Sequence, residues 1–224
     1  MGRDEYAEFS EGLRRYAALY ERGLKKQANA YIADFVQKFE KDKPEAERDA
    51  LLFRFCFDIC DGGKFAELTE RGDGLLPHAL ARVVWDYLIK KCAERKMPQM
   101  RWIFQLFRNN PFAFAPCGEP DVYEILEEAY ESPERDDKTA ELWLRELLRR
   151  LDYGSHEFPA CGLISREYYE KTAAAAERVI EENAVEAELA SALEYYRKLY
   201  RCYEEYRQSG GSKDFYKLCK DAGI

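Results

Sequence analysis

Apolar residues recur at steps of three and four along almost the whole of this 224-residue chain. That spacing is the period of an α-helix, and it leaves little room for strands. Phe9, Leu13, Tyr16 and Tyr20 form one stripe over residues 5–22, and Gly23 is placed to stop it. Leu24, Ala28, Ile32, Phe35 and Phe39 repeat the pattern over 24–42. Pro44 suits the first turn of a third helix, with Glu45 and Glu47 beside the positive end of its dipole. One segment is ambiguous. Residues 51–60, LLFRFCFDIC, set Phe53, Phe55, Phe57 and Ile59 against Arg54, Cys56, Asp58 and Cys60, which is the alternation of a strand. The strongly helical PEAERDA before it, the i,i+4 pair Arg54–Asp58 and the lack of a partner strand assign it instead to a nearly fully buried helix.

Asp61-Gly62-Gly63 ends that helix. A short helix is expected at 64–70, and Arg71-Gly72-Asp73-Gly74 reads as a turn. Pro77 opens a helix to about Lys96, with Leu80, Val83, Val84, Tyr87 and Leu88 inward. Pro98 opens the next, MRWIFQLF, apolar nearly all round, and Asn109-Asn110-Pro111 stops it. The apolar loop PFAFAPCG at 111–118 is expected to tuck Phe112–Phe114 inside as a plug, with an exposed patch as the alternative. Helices follow at 120–131 and from Pro133 to about Leu151, then the loop YGSHEFPACG, helices at 165–182 and 185–208, and, after Gly210-Gly211, a short one at 213–220. Connections this short make neighbours antiparallel hairpins. The expected fold is all-α: an irregular helical bundle or short α-solenoid of about ten antiparallel helices. A single domain over 1–224 is expected, with 111–118 as the place for a subdivision and the C-terminal helix 212–224 set off by a Gly-Gly hinge. The spacing of Trp85, Tyr87 and Leu88 from Pro98, Trp102 and Phe107 departs from the tetratricopeptide pattern, and no second copy aligns.

Hydrophobic residues make up 46% and charged residues 35% of the chain, enough apolar surface to fold without disulfides or metals. No window is long and apolar enough for a membrane-spanning helix, and the charged start MGRDEYAEFSEGL does not read as a signal peptide. Seven cysteines lie scattered along apolar faces, as free thiols do in a reducing compartment, so a cytoplasmic protein is expected. Cys56 and Cys60, one turn apart, make half a metal site with no second half, and no metal or other cofactor is expected. Two histidines are present, His78 and His156, and with Leu75 and Tyr153 three residues before them neither completes a Glu-x-x-His pair. His156 and Cys161 share a loop and have the residue types of a base and nucleophile, but a solvent-facing histidine and a half-buried thiol are the plainer expectation. Phosphate-loop, dinucleotide and nucleophile-elbow motifs are all missing.

The net charge of −8 sits in one place. Residues 119–141 carry ten acids and two bases, leaving 33 of each sign elsewhere. Along DVYEILEEAYES, Val122, Ile125, Leu126 and Ala129 form the apolar stripe, Asp121, Glu124, Glu128 and Glu131 line another face with Glu127 beside them, and Tyr123 and Tyr130 flank it. The like-charge i,i+4 pairs Glu124–Glu128 and Glu127–Glu131 each cost about 0.2–0.5 kcal/mol. Such a face either solubilises or docks a cationic partner. Asp121, Tyr123, Glu124, Glu127, Glu128, Tyr130 and Glu131 are therefore the candidate partner-binding residues. The expected function is a non-catalytic protein–protein interaction module that docks a basic protein, in the manner of a bacterial immunity-type protein. The alternative is an all-α enzyme or small-ligand-binding protein with an inter-helix pocket lined by Trp85, Trp102 and tyrosines. Nucleic acid is disfavoured by the acidic balance. A second candidate surface is the tyrosine-rich helix at 185–208, with stripes through Tyr196, Tyr200 and Tyr203 and through Tyr195, Leu199, Cys202 and Tyr206; it is expected to be core with its hydroxyls at the edge, or else in part a groove or an oligomer contact.

Overall fold

Gly23 has a φ of +78°, the left-handed conformation that a side chain resists, and there the chain turns from its first helix, α1 (Arg3–Glu21), into α2 (Lys25–Asp42). The computed structural model describes residues 3–65, 68, 76–110, 114 and 120–224. The remaining helices are α3 (Glu45–Cys60), α4 (His78–Ala93), α5 (Gln99–Phe107), α6 (Val122–Tyr130), α7 (Asp137–Ser155), α8 (Arg166–Glu182), α9 (Ala187–Gln208) and α10 (Phe215–Asp221). The protein is an all-α bundle, with ten helices and no strand among the described residues. None of these helices is long and apolar enough to cross a membrane. The helix expected at 64–70, the turn at 71–74 and the loop at 111–118 lie outside the described residues, apart from Lys64, Phe65, Leu68 and Phe114. The helices group into two compact units, Met1–Ser132 and Pro133–Ile224.

In the first unit α1 packs on α2, α2 and α3 on α4, α3 and α4 on α5, and α5 on α6. Most of the stripe residues read from the sequence are core, with Phe9, Leu13, Tyr16, Ala28, Ile32, Phe39, Leu80, Val84, Leu88 and Leu126 buried, but Tyr20, Leu24 and Phe35 are only half-buried, and Val36 and Leu51, outside those stripes, are buried as well. Phe9 is the aromatic centre, its ring 5.2 Å from Phe39, 5.7 Å from Phe35 and 6.0 Å from Phe55. Phe114 packs on Trp85 and Phe107 at 6.0 and 6.1 Å. Two carboxylates are drawn into this unit with their partners. Asp61, capping the end of α3, accepts from both terminal nitrogens of Arg101 at 2.9 and 3.1 Å and from Trp102 Nε1 at 2.8 Å, and Arg101 is only 1% exposed. Asp58 accepts from Tyr6 Oη at 2.8 Å and from Lys64 Nζ at 3.1 Å. Burial and the Asp58 hydrogen bond together push the Tyr6 phenol well above its ordinary range.

The ambiguous 51–60 segment is helical, but it is not nearly fully buried. A rotation of about 100° per residue puts Phe53 and Phe57 together on the outer face, where they are 42% and 48% exposed. Leu51, Leu52, Phe55, Cys56 and Asp58 take the inner face.

In the second unit α7, α8 and α9 pack on one another, and α10 packs on α9. The start of α7 departs from expectation. Asp136, not Pro133, opens it: its carboxylate accepts from the Thr139 backbone N–H at 2.8 Å and satisfies a first-turn donor that a proline cannot. The helix also runs on through Tyr153 to Ser155 into the segment expected as loop. Ser165 caps α8 and Asp214 caps α10 in the same way. Glu146 is buried on α7, gripped by Arg149 Nε and Nη2 at 2.7 and 2.8 Å and by Arg150 Nε at 3.1 Å. Gly154 makes room for α9: a Cβ there would lie 2.1 Å from Tyr200 Oη and 2.5 Å from Ile164 Cδ1. Through that gap Tyr200 donates to the Leu151 carbonyl at 3.0 Å. A smaller cluster of Cys202, Tyr203 and Phe215, backed by Phe158, joins α9 to α10.

Candidate functional site

The acidic tract resolves into carboxylates that serve the fold and carboxylates that do not. Asp121 caps α6, accepting from the Tyr123 backbone N–H at 2.8 Å, and Asp136 caps α7. Glu141 pairs with Arg145 at 2.8 Å, and Arg135 with Glu182 at 3.1 Å. On α6 itself Val122, Ile125, Leu126 and Ala129 face the first unit's core, while Glu124, Glu127, Glu128 and Glu131 are exposed. Glu128 stands 3.8 Å from the highly exposed Arg95. Glu124 and Glu127 have no cation within ion-pair distance among the described residues.

The two tyrosines thought to flank this face differ from expectation. Tyr130 is completely buried, so it belongs to the core and is not a contact residue. It follows Leu126 by one turn, which puts it on the apolar stripe. Tyr123 is half-buried: its ring meets Phe104 edge-on at 5.5 Å and its hydroxyl donates to the Arg108 carbonyl at 3.0 Å. It supports the face at its edge.

The tryptophans expected to line a pocket are core residues as well. Trp102 is fully buried and tied to Asp61; Trp85 is 5% exposed and edge-on to Phe107 at 5.1 Å. His156 and Cys161 are both exposed, and no hydrogen bond joins them among the described residues. Cys56 is wholly buried, and burial raises its thiol well above the usual range. No group of three or more His, Cys, Asp or Glu side chains converges to hold a metal among the described residues.

The tyrosine-rich helix, the second candidate surface, borders a feature whose arginines sequence reasoning did not single out. A cleft of about 670 Å³ lies between the segment that leads into α8, residues 162–170, and the second half of α9. Its α9 wall carries Arg197, Arg201 and Arg207, and Arg166 enters from the first turn of α8. Arg166 bonds Glu170 at 2.7 Å and reaches Glu204 at 3.4 Å, while Arg197 is paired with Glu177 at 2.7 Å. Arg201 and Arg207 are exposed and have no carboxylate partner among the described residues. The aromatic wall is ordered by stacking: Tyr169 on Tyr200 at 4.0 Å and 14°, Phe158 on Tyr203 at 3.7 Å and 11°, with Phe158 edge-on to Tyr200 at 5.0 Å. Burial raises the phenols of Tyr169 and Tyr200 above their ordinary value. The hydroxyl of Tyr203, which also lines the cleft, is buried without a hydrogen-bond partner. In the sequence the signal for this site was the recurrence of arginine at 197, 201 and 207 within one side of the tyrosine-rich helix.

No family model matches this chain, and neither a curated protein nor a solved structure is significantly similar to it.

Proposed function

We propose that this is a non-catalytic binding module whose α6 docks a basic protein partner through its outward carboxylates. The observation that carries the reading is the state of Glu124 and Glu127: exposed, without a cation in reach among the described residues, on a helix whose other side is committed to the core. A helix that concentrates like charge destabilises itself slightly, and a cationic partner removes that cost while gaining a faster, steered encounter. A bacterial immunity-type protein that neutralises a basic toxin is the concrete form of the proposal, by analogy with compact acidic helical architecture. Cys56, Cys92, Cys161, Cys202 and Cys219 are free thiols, which supports a reducing, cytoplasmic setting as part of the same reading.

Affinity capture from the source cells tests it, with the native chain and with Glu124, Glu127, Glu128 and Glu131 all changed to Gln. The expected result is a basic protein retained by the native chain, released by salt and lost from the variant. Retention indifferent to both salt and substitution would refute the docking face.

A further inference from the structure

The cleft of the second unit is a separate site with the opposite electrostatics. Four arginines and two glutamates line it, and Glu177 beside it pairs with Arg197, which leaves a surplus of one positive charge in a protein whose net charge is −8. Arg166 and Arg197 spend their charge on carboxylates, so the guanidiniums left without a carboxylate are Arg201 and Arg207. A guanidinium presents a planar fork of donors suited to two oxygens of a phosphate or carboxylate. The start of α8 adds to this: Ser165 occupies the Tyr168 N–H, leaving the preceding first-turn N–H groups at the positive end of a 17-residue helix. Beside the charges stands the stacked pair Tyr169–Tyr200. The volume falls within the range of sites for small organic ligands, about 300–1,000 Å³.

We propose that this cleft binds a small phosphomonoester carrying a planar group, of the size of a nucleoside monophosphate. Arg201 and Arg207 hold the phosphoryl oxygens, and the Tyr169–Tyr200 stack receives the planar part. A phosphomonoester carries about −1.5 to −2 charge at neutral pH, enough to engage both guanidiniums that have no carboxylate partner, Arg201 and Arg207, the latter resting over the Tyr203 ring. A simple carboxylate would leave one of them unanswered, and a bare phosphate would leave the aromatic wall unused. The site does not depend on the α6 docking face, and the two proposals fail separately.

Titration calorimetry on the full chain tests the site with adenosine 5′-monophosphate, uridine 5′-monophosphate and p-nitrophenyl phosphate, and with adenosine and inorganic phosphate as controls. At least one phosphomonoester should bind saturably, with adenosine and phosphate alone each at least about tenfold weaker. R201Q and R207Q should each weaken that binding about tenfold, as expected for loss of a charge-assisted hydrogen bond. Both residues are on the surface, so circular dichroism should show the fold intact. Y169A should lower the advantage of the phosphomonoester over inorganic phosphate, and E124Q/E127Q should leave it unchanged. The proposal is overturned if none of the three esters binds saturably. It is equally overturned if every anion binds alike and the arginine variants have no effect.

Discussion

Changing Gly154 to alanine should destabilise the protein, against the usual direction. Alanine in place of glycine inside a helix ordinarily gains about 0.5–1 kcal/mol, because the unfolded chain has less freedom to lose. Here the added methyl would stand 2.1 Å from Tyr200 Oη and 2.5 Å from Ile164 Cδ1 and Cγ1, against ordinary contacts of about 3.5–4.0 Å. Relief requires the Tyr200 ring to retreat by more than an ångström. It is held by Tyr169 stacked at 4.0 Å, by Phe158 edge-on at 5.0 Å and by its hydrogen bond to Leu151 O. Overpacking of this kind costs about 1–3 kcal/mol and the lost hydrogen bond about 1. Setting the propensity gain against them leaves a net loss of about 1–3 kcal/mol. Urea unfolding of the native chain, G154A, Y200F and the double variant measures this directly. Y200F removes the nearest obstructing atom, so G154A should cost at least about 1 kcal/mol less in that background. A stabilised G154A, or an equal cost in both backgrounds, would refute the packing argument.

Asp61→Asn should cost about 3–5 kcal/mol in the same assay, because it removes the carboxylate that grips both terminal nitrogens of the buried Arg101; a loss under about 1 kcal/mol would show that Arg101 is satisfied without it. Alkaline pH should unfold the protein through its tyrosines. Burial, aided by the Asp152 hydrogen bond, raises Tyr196 to about 12, and burial lifts Tyr6, Tyr87 and Tyr200 further. The unfolded chain ionises these phenols from about pH 10 while the folded chain keeps them protonated, so stability is fully present below pH 10 and falls as pH rises to about 12 and beyond. Phenolate absorbance rising in step with loss of helix would bear this out, and full phenolate absorbance with the fold intact would refute it. Under native conditions a thiol reagent should modify Cys161 quickly and spare buried Cys56 and also Cys92, whose thiol is pushed up to about 12; peptide mapping reads each site.

The long helices were legible because each carries several turns of one apolar stripe. What escaped the sequence turned on competition between local signals. At α7 a proline start signal at Pro133 lost to the side chain of Asp136, and nothing short of the capping bond distinguishes the two. In α3 the alternating phenylalanines looked uniformly internal, yet helical rotation sends Phe53 and Phe57 outward. Tyr130 was readable as core from its place one turn after Leu126, but its neighbours' charge drew attention away. The cleft was the least visible feature. Its arginine row lies on α9, while Arg166 and Tyr169 come from about thirty residues earlier, and only the antiparallel pairing shown by Arg197–Glu177 and Arg166–Glu204 brings them together.

The carboxylate of Asp61 also has a consequence in time. Its partners Arg101 and Trp102 lie 40 and 41 residues along the chain, so the bonds form only after α4 has carried the chain out and back. Closing so long a loop is paid in entropy before any contact returns it. The ion pair should therefore be absent from the rate-limiting barrier and act as a latch set afterwards. Removing it should speed unfolding and leave the folding rate almost untouched, so that one arm of the chevron moves and the other stays.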